Sequence, residues 1–221
     1  MPGVDAVSFD LDDTLAVTDR DRAIILREAC EAVGVPPLSR EAYVDAHRDN
    51  LTRETREPAF AALLESVGSD ADPAALTAAY RERVTDALAP VPGVVGMLAD
   101  LREDYRVGLL TNGPSRAQRA KVERLGWTEA FDAVVVTGDL AAGKPDLRAF
   151  AAVCDALDAP PDRAVHVGDD PETDVGGAHA AGIRPVQVLD PDGGDRPDHR
   201  AVAHVERDDL ATALPAVLAT L

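Results

Sequence analysis

Cysteine and long apolar runs are both scarce in this 221-residue sequence. The two cysteines, Cys30 and Cys154, form neither a metal-binding pattern nor a dense disulfide framework, so we expect two buried, reduced thiols. No stretch approaches the roughly 20 apolar residues of a membrane span, and no basic N-terminal region precedes an apolar signal segment. We therefore expect a soluble, cytoplasmic protein with no membrane partner.

Basic residues are also few relative to acidic ones. The sequence has 40 acidic and 22 basic residues, for a formal net charge of −18. Nucleic-acid binding requires basic patches that displace counterions, so we expect no nucleic-acid partner. Lys121 and Lys144 are the only lysines. This pattern favours a halophile's cytoplasm, where salt screens self-repulsion between acidic residues; codon bias in a GC-rich genome is the alternative.

The most informative stretch present is VDAVSFDLDDTL, at positions 4–15. Ala6, Val7 and Phe9 form an apolar run too short for a helix, which predicts a parallel strand covered on both faces. Asp10 and Asp12 follow this strand, at the end where ligands bind in open α/β sheets. Carboxylates this close repel each other, and a divalent cation or a catalytic task would compensate them; a solvated acidic turn is the alternative.

The region after this turn has a helical pattern and no strand signal. Gly and Pro residues end the helical segments, while Ser39 and Asp72 precede two of them as caps. The predicted helices cover 21–34, 39–57, 58–67 and 73–88. We interpret 17–89 as a helical cap domain inserted into an α/β core made of 1–16 and 90–221.

From position 92 onward, predicted helices and strands alternate. The strands are expected at 105–113, 131–139, 162–170 and 184–190, with a weak one at 201–205 after a polar loop. Strands that alternate with helices imply a parallel sheet with right-handed crossovers. The predicted fold class is α/β, with a Rossmann-like parallel sheet core and an inserted α-helical cap.

Polar residues follow the ends of several predicted strands and should converge on one edge of a parallel sheet. They are Asp10, Asp12, Thr111, Asn112, Lys144, Asp169, Asp170 and Asp174. Phosphoryl transfer needs such a set, because an ionised carboxylate can attack phosphorus while a second carboxyl exchanges protons. A divalent ion, a lysine and hydroxyl or amide donors would surround the transferring oxygens.

Four short motifs occur in a fixed order along the chain: DLDDT at 10–14, Thr111 in LLTNG, Lys144-Pro145, and GDDPETD at 168–174. With these motifs the sequence resembles the haloacid dehalogenase superfamily, in its phosphatase branch with a helical cap, of the phosphoglycolate phosphatase type. The resemblance covers the whole chain, including the position of the cap.

The resemblance implies a role for each matching residue. Asp10 would be the nucleophile and a metal ligand, while Asp12 would be the general acid and base and offer its backbone carbonyl to the metal. Thr111, with the amides of Asn112 and Gly113, would bind phosphoryl oxygens. Lys144 would fix both the nucleophile and the phosphoryl charge.

The implied cofactor is Mg²⁺, because an all-oxygen site with few protein ligands and several waters suits this ion. By the same resemblance, Asp169 would bind the metal directly. Asp174 would complete the metal site, chiefly by orienting it, and Asp170 is a substitute for Asp174. Simple turn and helix-capping roles are the alternatives for Asp170 and Asp174.

Two further groups of residues receive structural interpretations. His166 lies within a predicted strand, which indicates a core histidine with its hydrogen bonds satisfied. Arg48, Arg53 and Arg56 fall on the second predicted cap helix. They could face an anionic substrate, but we interpret them as part of a solvated helix face.

The leading hypothesis is a Mg²⁺-dependent phosphomonoesterase that acts on a small phosphorylated metabolite through an aspartyl phosphate. A phosphomutase of the same fold is the first rival, although such relatives tend to have Gly-Val where this chain has Asp13-Thr14. A metal-independent 2-haloacid dehalogenase is the second, although that branch typically has tyrosine at the position of Asp12. The third rival is an inactive binding protein. The sequence indicates neither the substrate nor the oligomeric state.

Overall fold

The computed structural model describes residues 3–190 and 196–221. Its central feature is a six-stranded parallel sheet with the strand order β5-β4-β1-β6-β7-β8. The six strands are β1 (Ala6–Phe9), β4 (Arg106–Thr111), β5 (Ala133–Val136), β6 (Ala164–Gly168), β7 (Arg184–Leu189) and β8 (Ala203–Glu206). Two more strands, β2 (Ala16–Thr18) and β3 (Leu88–Pro90), form a separate antiparallel pair. Part of the polar loop expected before β8, at 191–195, lies outside the described residues.

Strand β1 lies at the centre of the sheet, and all four of its residues are buried. Phe9 is in register with Leu109 of β4 and Val167 of β6, so the carboxyl ends of these three strands lie close together. The Asp10 N–H continues the ladder by donating to the Val167 carbonyl at 2.9 Å. The predicted buried parallel strand is confirmed, and it delivers Asp10 to the edge of the sheet where ligands bind in such folds.

Helices cover both faces of the sheet, which confirms the predicted α/β class. In the described residues the helices are α1 (Arg22–Ala32), α2 (Arg40–Arg48), α3 (Glu57–Ser66), α4 (Pro73–Ala87), α5 (Val94–Asp104), α6 (Ser115–Arg124), α7 (Leu147–Leu157), α8 (Gly177–Ala180) and α9 (Leu210–Leu218). Side chains of α5, α6 and α9 share one apolar core with the sheet, and those of α7 and α8 share another. A π-helical segment, Pro171–Gly176, precedes α8.

None of these helices is both long and apolar enough to cross a bilayer. The expected state of the cysteines is also confirmed, since Cys30 and Cys154 are both buried and free.

Helices α1 to α4 have an apolar core of their own, distinct from the two cores that cover the sheet. Tyr80 is nearly fully buried there, with ring centroids of Tyr43 and Phe60 at 5.1 and 5.5 Å. Ser39 and Asp72 cap α2 and α4 as predicted, each accepting a hydrogen bond from a backbone amide of the first turn.

The second helix is shorter than predicted, because α2 ends at Arg48 rather than near position 57. The Asn50 side chain closes the helix by donating to the Ala46 carbonyl at 2.7 Å. Beyond it, the carbonyls of Arg53 and Glu54 accept hydrogen bonds from the first two amides of α6. No described side chain caps helix α6, so this irregular segment satisfies amides that would otherwise have no partner.

The β2–β3 pair is absent from the sequence-based prediction, which placed no strand between the acidic turn and position 90. Each strand has only three residues, too few to show an alternating pattern. Ala16 is in register with Pro90, so both connections between the sheet and helices α1 to α4 run through this ribbon.

Candidate active site

The turn after β1 positions the first two candidate carboxylates. The amides of Leu15 and Ala16 both donate to the Leu11 carbonyl, and Asp13 adopts a left-handed conformation with φ of 60°. Asp tolerates this conformation better than most residues. Leu11 and Leu15 are fully buried, so they anchor the turn in the core while its acidic residues remain at the sheet edge.

Three carboxylates meet at this edge: Asp10, Asp169 and Asp174 each offer an oxygen within 4.8 Å of the others. Asp169 follows β6 and accepts a hydrogen bond from the Thr14 hydroxyl at 2.9 Å. Gly168 allows the Asp174 carboxyl group to lie against the end of β6, because a Cβ at position 168 would overlap that carboxyl group. We call this set the carboxylate cluster.

Lys144 supplies positive charge to the carboxylate cluster. Its Nζ lies 2.6 Å from Asp10 Oδ1 and 2.5 Å from Asp174 Oδ1, and the residue is only 3% exposed. Asn112 holds the Lys144 backbone from both sides, since it donates to the carbonyl at 2.9 Å and accepts from the amide at 2.8 Å. Asn112 therefore fixes the loop that carries the lysine.

Asp174 has partners for both carboxylate oxygens. His166 Nε2 lies 3.0 Å from Oδ1, and the Asp170 amide donates to Oδ2 at 3.2 Å. The other ring nitrogen of His166 lies 2.9 Å from the Ser8 hydroxyl, which confirms the prediction of a satisfied core histidine. The Asp170 side chain caps the following turn through the amides of Glu172 and Thr173, so it lies outside the cluster.

The electrostatics of the cluster are those of a site with excess negative charge. Burial raises the pKa of Asp10 to about 7; Lys144 opposes this rise, while Asp174 and Asp12 add to it. Burial also raises the pKa of Asp169, and repulsion from Asp174 and Asp10 raises it further. A buried set of oxygen donors whose negative charge Lys144 balances only in part fits a hard divalent cation.

Asp12 lies in a different environment, surrounded by donors. Arg22 Nη2 lies 2.7 Å from its Oδ1, while Lys121 Nζ and Gln118 Nε2 lie 2.5 and 3.0 Å from its Oδ2. Burial alone would raise the pKa of Asp12, but the nearby Lys121 and Arg22 charges outweigh burial and hold that pKa well below its usual range. Asp12 is therefore ionised in the free protein at neutral pH.

Thr111 ends β4 beside Asp12, is 1% exposed, and accepts a hydrogen bond from Gln118 Nε2 at 2.5 Å. The Gly113 amide, by contrast, donates to the Thr137 hydroxyl at 3.0 Å. This amide is already paired within the protein, so the structure does not leave it free to bind a phosphoryl oxygen.

Sequence reasoning missed three residues that contact Asp12: Arg22, Gln118 and Lys121. One signal was available for Lys121. Lysine is so rare in this sequence that Lys121, one of only two, should have drawn the same attention as Lys144. Gln118 and Lys121 are also three residues apart on α6, a spacing that places two side chains on one helix face. Arg22 had no comparable signal.

A cavity of about 200 Å³ adjoins Asp12 and extends to helices α1, α2 and α4. Four cationic side chains line it: Arg22, Arg40, Arg56 and Lys121. The interpretation of Arg56 as part of a solvated helix face is wrong, since Arg56 lies beyond the end of α2 and is 5% exposed. Arg48, the last residue of α2, is exposed, in agreement with that interpretation. Arg53 is exposed too, but it lies in the irregular segment after α2 rather than on a helix face.

The chain is similar to known hydrolases. The profile of the haloacid dehalogenase-like hydrolases matches residues 4–182. A glyceraldehyde 3-phosphate phosphatase of Methanopyrus kandleri is 31% identical over 199 residues, covering 84% of each chain. A ribulose-1,5-bisphosphate 5-phosphatase of Halopiger xanaduensis is 32% identical over 203 residues, with the same coverage of both chains.

Among solved structures, a 2-haloacid dehalogenase from Pseudomonas syringae superposes with a TM-score of 0.71 at 29% identity. The match covers 98% of this chain and 99% of that one. The same fold thus occurs in a protein of the rival activity considered from the sequence.

Proposed function

The chain belongs to the haloacid dehalogenase-like hydrolases, and from this premise we propose that it is a Mg²⁺-dependent phosphomonoesterase acting on small phosphorylated metabolites. The carboxylate cluster with Lys144 is the observation that carries the proposal, because it joins an available nucleophile to a cation site. Both curated relatives reported above are phosphatases named for small phosphorylated substrates, which supports the same activity here.

In the proposed reaction, an Asp10 carboxylate oxygen attacks phosphorus while the ester P–O bond breaks. Asp12 gives a proton to the departing oxygen. Asp12 then takes a proton from water as the water oxygen attacks phosphorus, and Asp10 leaves as a carboxylate. Thr111 donates a hydrogen bond to a phosphoryl oxygen, and Lys144 balances the charge on Asp10 and the phosphoryl group.

The proposed metal ligands are Asp10, Asp169 and the Asp12 carbonyl. When bound there, Mg²⁺ would neutralise charge on the phosphoryl oxygens. Asp174 orients the site rather than binding the ion through a free oxygen, because Lys144, His166 and the Asp170 amide already occupy its carboxylate.

Asp12 has to take up the proton that it donates from solvent as the substrate binds, because Asp12 is ionised in the free protein. A phosphoryl dianion beside Asp12 disfavours a second negative charge and raises the pKa of this carboxyl. The same dianion competes for Lys121 and Arg22, whose charges hold Asp12 ionised. Substrate binding thus prepares Asp12 as an acid, and departure of the leaving group restores it as a base.

Residues 17–89 act in this proposal as a cap over the strand ends. Arg22 of α1 reaches Asp12, and the Leu51 carbonyl accepts a hydrogen bond from the Thr137 hydroxyl at 3.3 Å. The β2–β3 ribbon joins this region to the sheet at both ends. A cap in this position excludes water and admits only small substrates.

A panel of small phosphate esters and one phosphopeptide, each assayed for phosphate release with Mg²⁺ or EDTA, tests the proposed function. We expect release from the small esters with Mg²⁺ and none with EDTA. Metal-independent release of halide from 2-haloacids would instead assign the dehalogenase activity, and preference for the phosphopeptide would contradict closure by the cap.

The metal site predicts pH-dependent stabilisation by Mg²⁺. Because burial raises the pKa of Asp10 to about 7, the metal-free folded state holds this proton more tightly than the unfolded state. Stability of the metal-free protein should therefore fall as pH rises from about 4 to about 7, and Mg²⁺ should offset that loss. In thermal melts, Mg²⁺ should raise the midpoint more at about pH 8 than at about pH 5.5, where protons compete for the site.

The Asp10→Asn variant is the control for this experiment, because it lacks the Asp10 carboxylate. It therefore has one metal ligand fewer and no group at position 10 that titrates near pH 7. Its Mg²⁺-induced shift should be smaller and less dependent on pH. An equal Mg²⁺ effect at both pH values in the wild type would contradict the metal site.

The charge of −18 predicts that salt stabilises the fold, as expected for a protein of a salt-rich cytoplasm. Raising KCl from about 0.1 M to about 1 M shortens the Debye length from about 10 Å to about 3 Å, which weakens repulsion between surface carboxylates. Thermal melts at both concentrations should show a higher midpoint at high salt. A flat or falling midpoint would favour codon usage as the origin of the acidity.

A further inference from the structure

Arg56 is a buried cation without a charged partner. The residue is 5% exposed, and no carboxylate within the described ranges forms an ion pair with it. Its Nε is buried and has no hydrogen-bond partner among the described residues. The guanidinium lies over the Tyr80 ring, 5.6 Å from its centroid, which compensates only part of the cost of burying a charge.

His47 provides a second unpaired polar atom on the same cavity wall. Its Nδ1 is buried and has no hydrogen-bond partner in the part of the chain that the structure describes, while the ring stacks on Tyr43 with centroids 5.5 Å apart. Burial, together with the charges of Arg56 and Lys121, lowers the pKa of His47 to about 3. The imidazole is therefore neutral, and it can donate a hydrogen bond from Nδ1 without adding charge.

The positive charge of this cavity is only partly balanced by the protein. Arg22 and Lys121 both pair with Asp12, whereas Arg40 and Arg56 have no such carboxylate partner in the described residues. Arg40 stacks on Tyr43 at 5.3 Å from the ring centroid. Uncompensated cations gathered around one cavity, in a chain with a net charge of −18, indicate an anionic ligand.

We propose that this cavity binds a second anionic group of the substrate, a carboxylate or a phosphate at the end remote from the phosphoryl group that reacts. Arg56 is its principal ligand, with Arg40 and His47 as further donors. We call these three residues the Arg56 subsite. The inference rests on the proposed phosphatase function and narrows its substrates to small phosphate esters that carry a second negative charge.

This subsite does not share its residues with the carboxylate cluster. Asp12 lines the cavity together with Arg56 and His47, whereas Asp10 and Lys144 do not line it. Its volume of about 200 Å³ lies below the roughly 300–1,000 Å³ of pockets for drug-sized ligands. A short chain between the two anionic ends fits this space better than a nucleotide or a peptide.

The test compares matched linear phosphate esters of increasing chain length that differ only in the remote group: a hydroxyl, a carboxylate or a second phosphate. Initial rates of phosphate release give kcat/KM for each ester. The wild-type protein should prefer an anionic end over the hydroxyl end by roughly ten- to a hundredfold at the length that fits. The anionic end that gives the higher kcat/KM identifies the group that the Arg56 subsite binds.

Arg56→Gln should reduce this preference to near unity, mainly through KM for the anionic esters, and Arg56→Lys should restore part of it. Arg48→Gln is the matched control, because Arg48 is exposed and pairs with Asp45 on its own helix; it should keep the wild-type preference. Thermal melts check that the variants fold. Arg40→Gln, at a half-buried position, is a second test that does not depend on the stability of the Arg56 variants.

A wild-type protein that hydrolyses the hydroxyl-ended esters as well as the anionic ones at every length would overturn the inference while leaving the phosphatase proposal intact. A preference that folded Arg56→Gln and Arg40→Gln proteins both retain would also overturn it. Failure to release phosphate from any ester in the presence of Mg²⁺ would overturn both proposals together.

Discussion

Replacing Asp10 with Asn is expected to abolish phosphate release while leaving the protein folded. The amide is nearly the same size as the carboxylate but is not a competent nucleophile, so the covalent step should fail. Loss of a nucleophile typically lowers turnover on the order of 10⁴-fold or more. The substitution also removes an ionisable carboxyl from a cluster in which burial, together with neighbouring carboxylates, raises the pKa of Asp10 and Asp169, so stability should not fall.

The kcat and thermal midpoint of Asp10→Asn should be measured beside those of Asp100→Asn, which makes the same change at an exposed position on α5. The control should retain wild-type activity. Turnover by Asp10→Asn close to that of the control would show that another group attacks phosphorus.

Replacing Lys144 with Ala should lower kcat/KM by on the order of a hundredfold or more, the usual cost of removing one donor to transition-state charge. Two effects combine, since the variant loses a cation that touches both Asp10 and Asp174 and also the charge that limits the rise in the pKa of Asp10. The acid limb of the pH profile should therefore move to higher pH. Both changes are measured in one set of pH-rate profiles.

Lys144→Arg tests whether charge alone is sufficient. The planar guanidinium cannot readily replace a compact ammonium held 2.6 and 2.5 Å from two carboxylates, so we expect little recovery. Full activity in Lys144→Arg, or an unchanged acid limb in Lys144→Ala, would contradict the role assigned to this lysine.

The parts of the fold that the sequence predicted are those governed by local pattern. The apolar run at Ala6–Phe9 is long enough to specify a buried strand, and strand ends in a parallel sheet share one edge. That reasoning brings Asp10, Asp169 and Lys144 together without any knowledge of their contacts. The three-residue strands β2 and β3 and the irregular segment after α2 were missed because long-range backbone hydrogen bonds fix them.

The surroundings of Asp12 show the same limit at the level of side chains. Lys121 is 109 positions away in sequence, and no local pattern relates the two residues. Arg48, Arg53 and Arg56 likewise look alike in the sequence. Only tertiary packing against Tyr80 buries one of them and leaves the other two in solvent.

The most direct measurement of the central claim is the site of covalent phosphorylation. The protein is mixed with a small phosphate ester and Mg²⁺, quenched in acid within one turnover, and reduced with borohydride, which converts an aspartyl phosphate to homoserine. Peptide mass spectrometry then locates the change. We predict homoserine at position 10, in greater amount in Asp12→Asn, which lacks the base for release. Reduction at another residue, or none during normal turnover, would contradict the account.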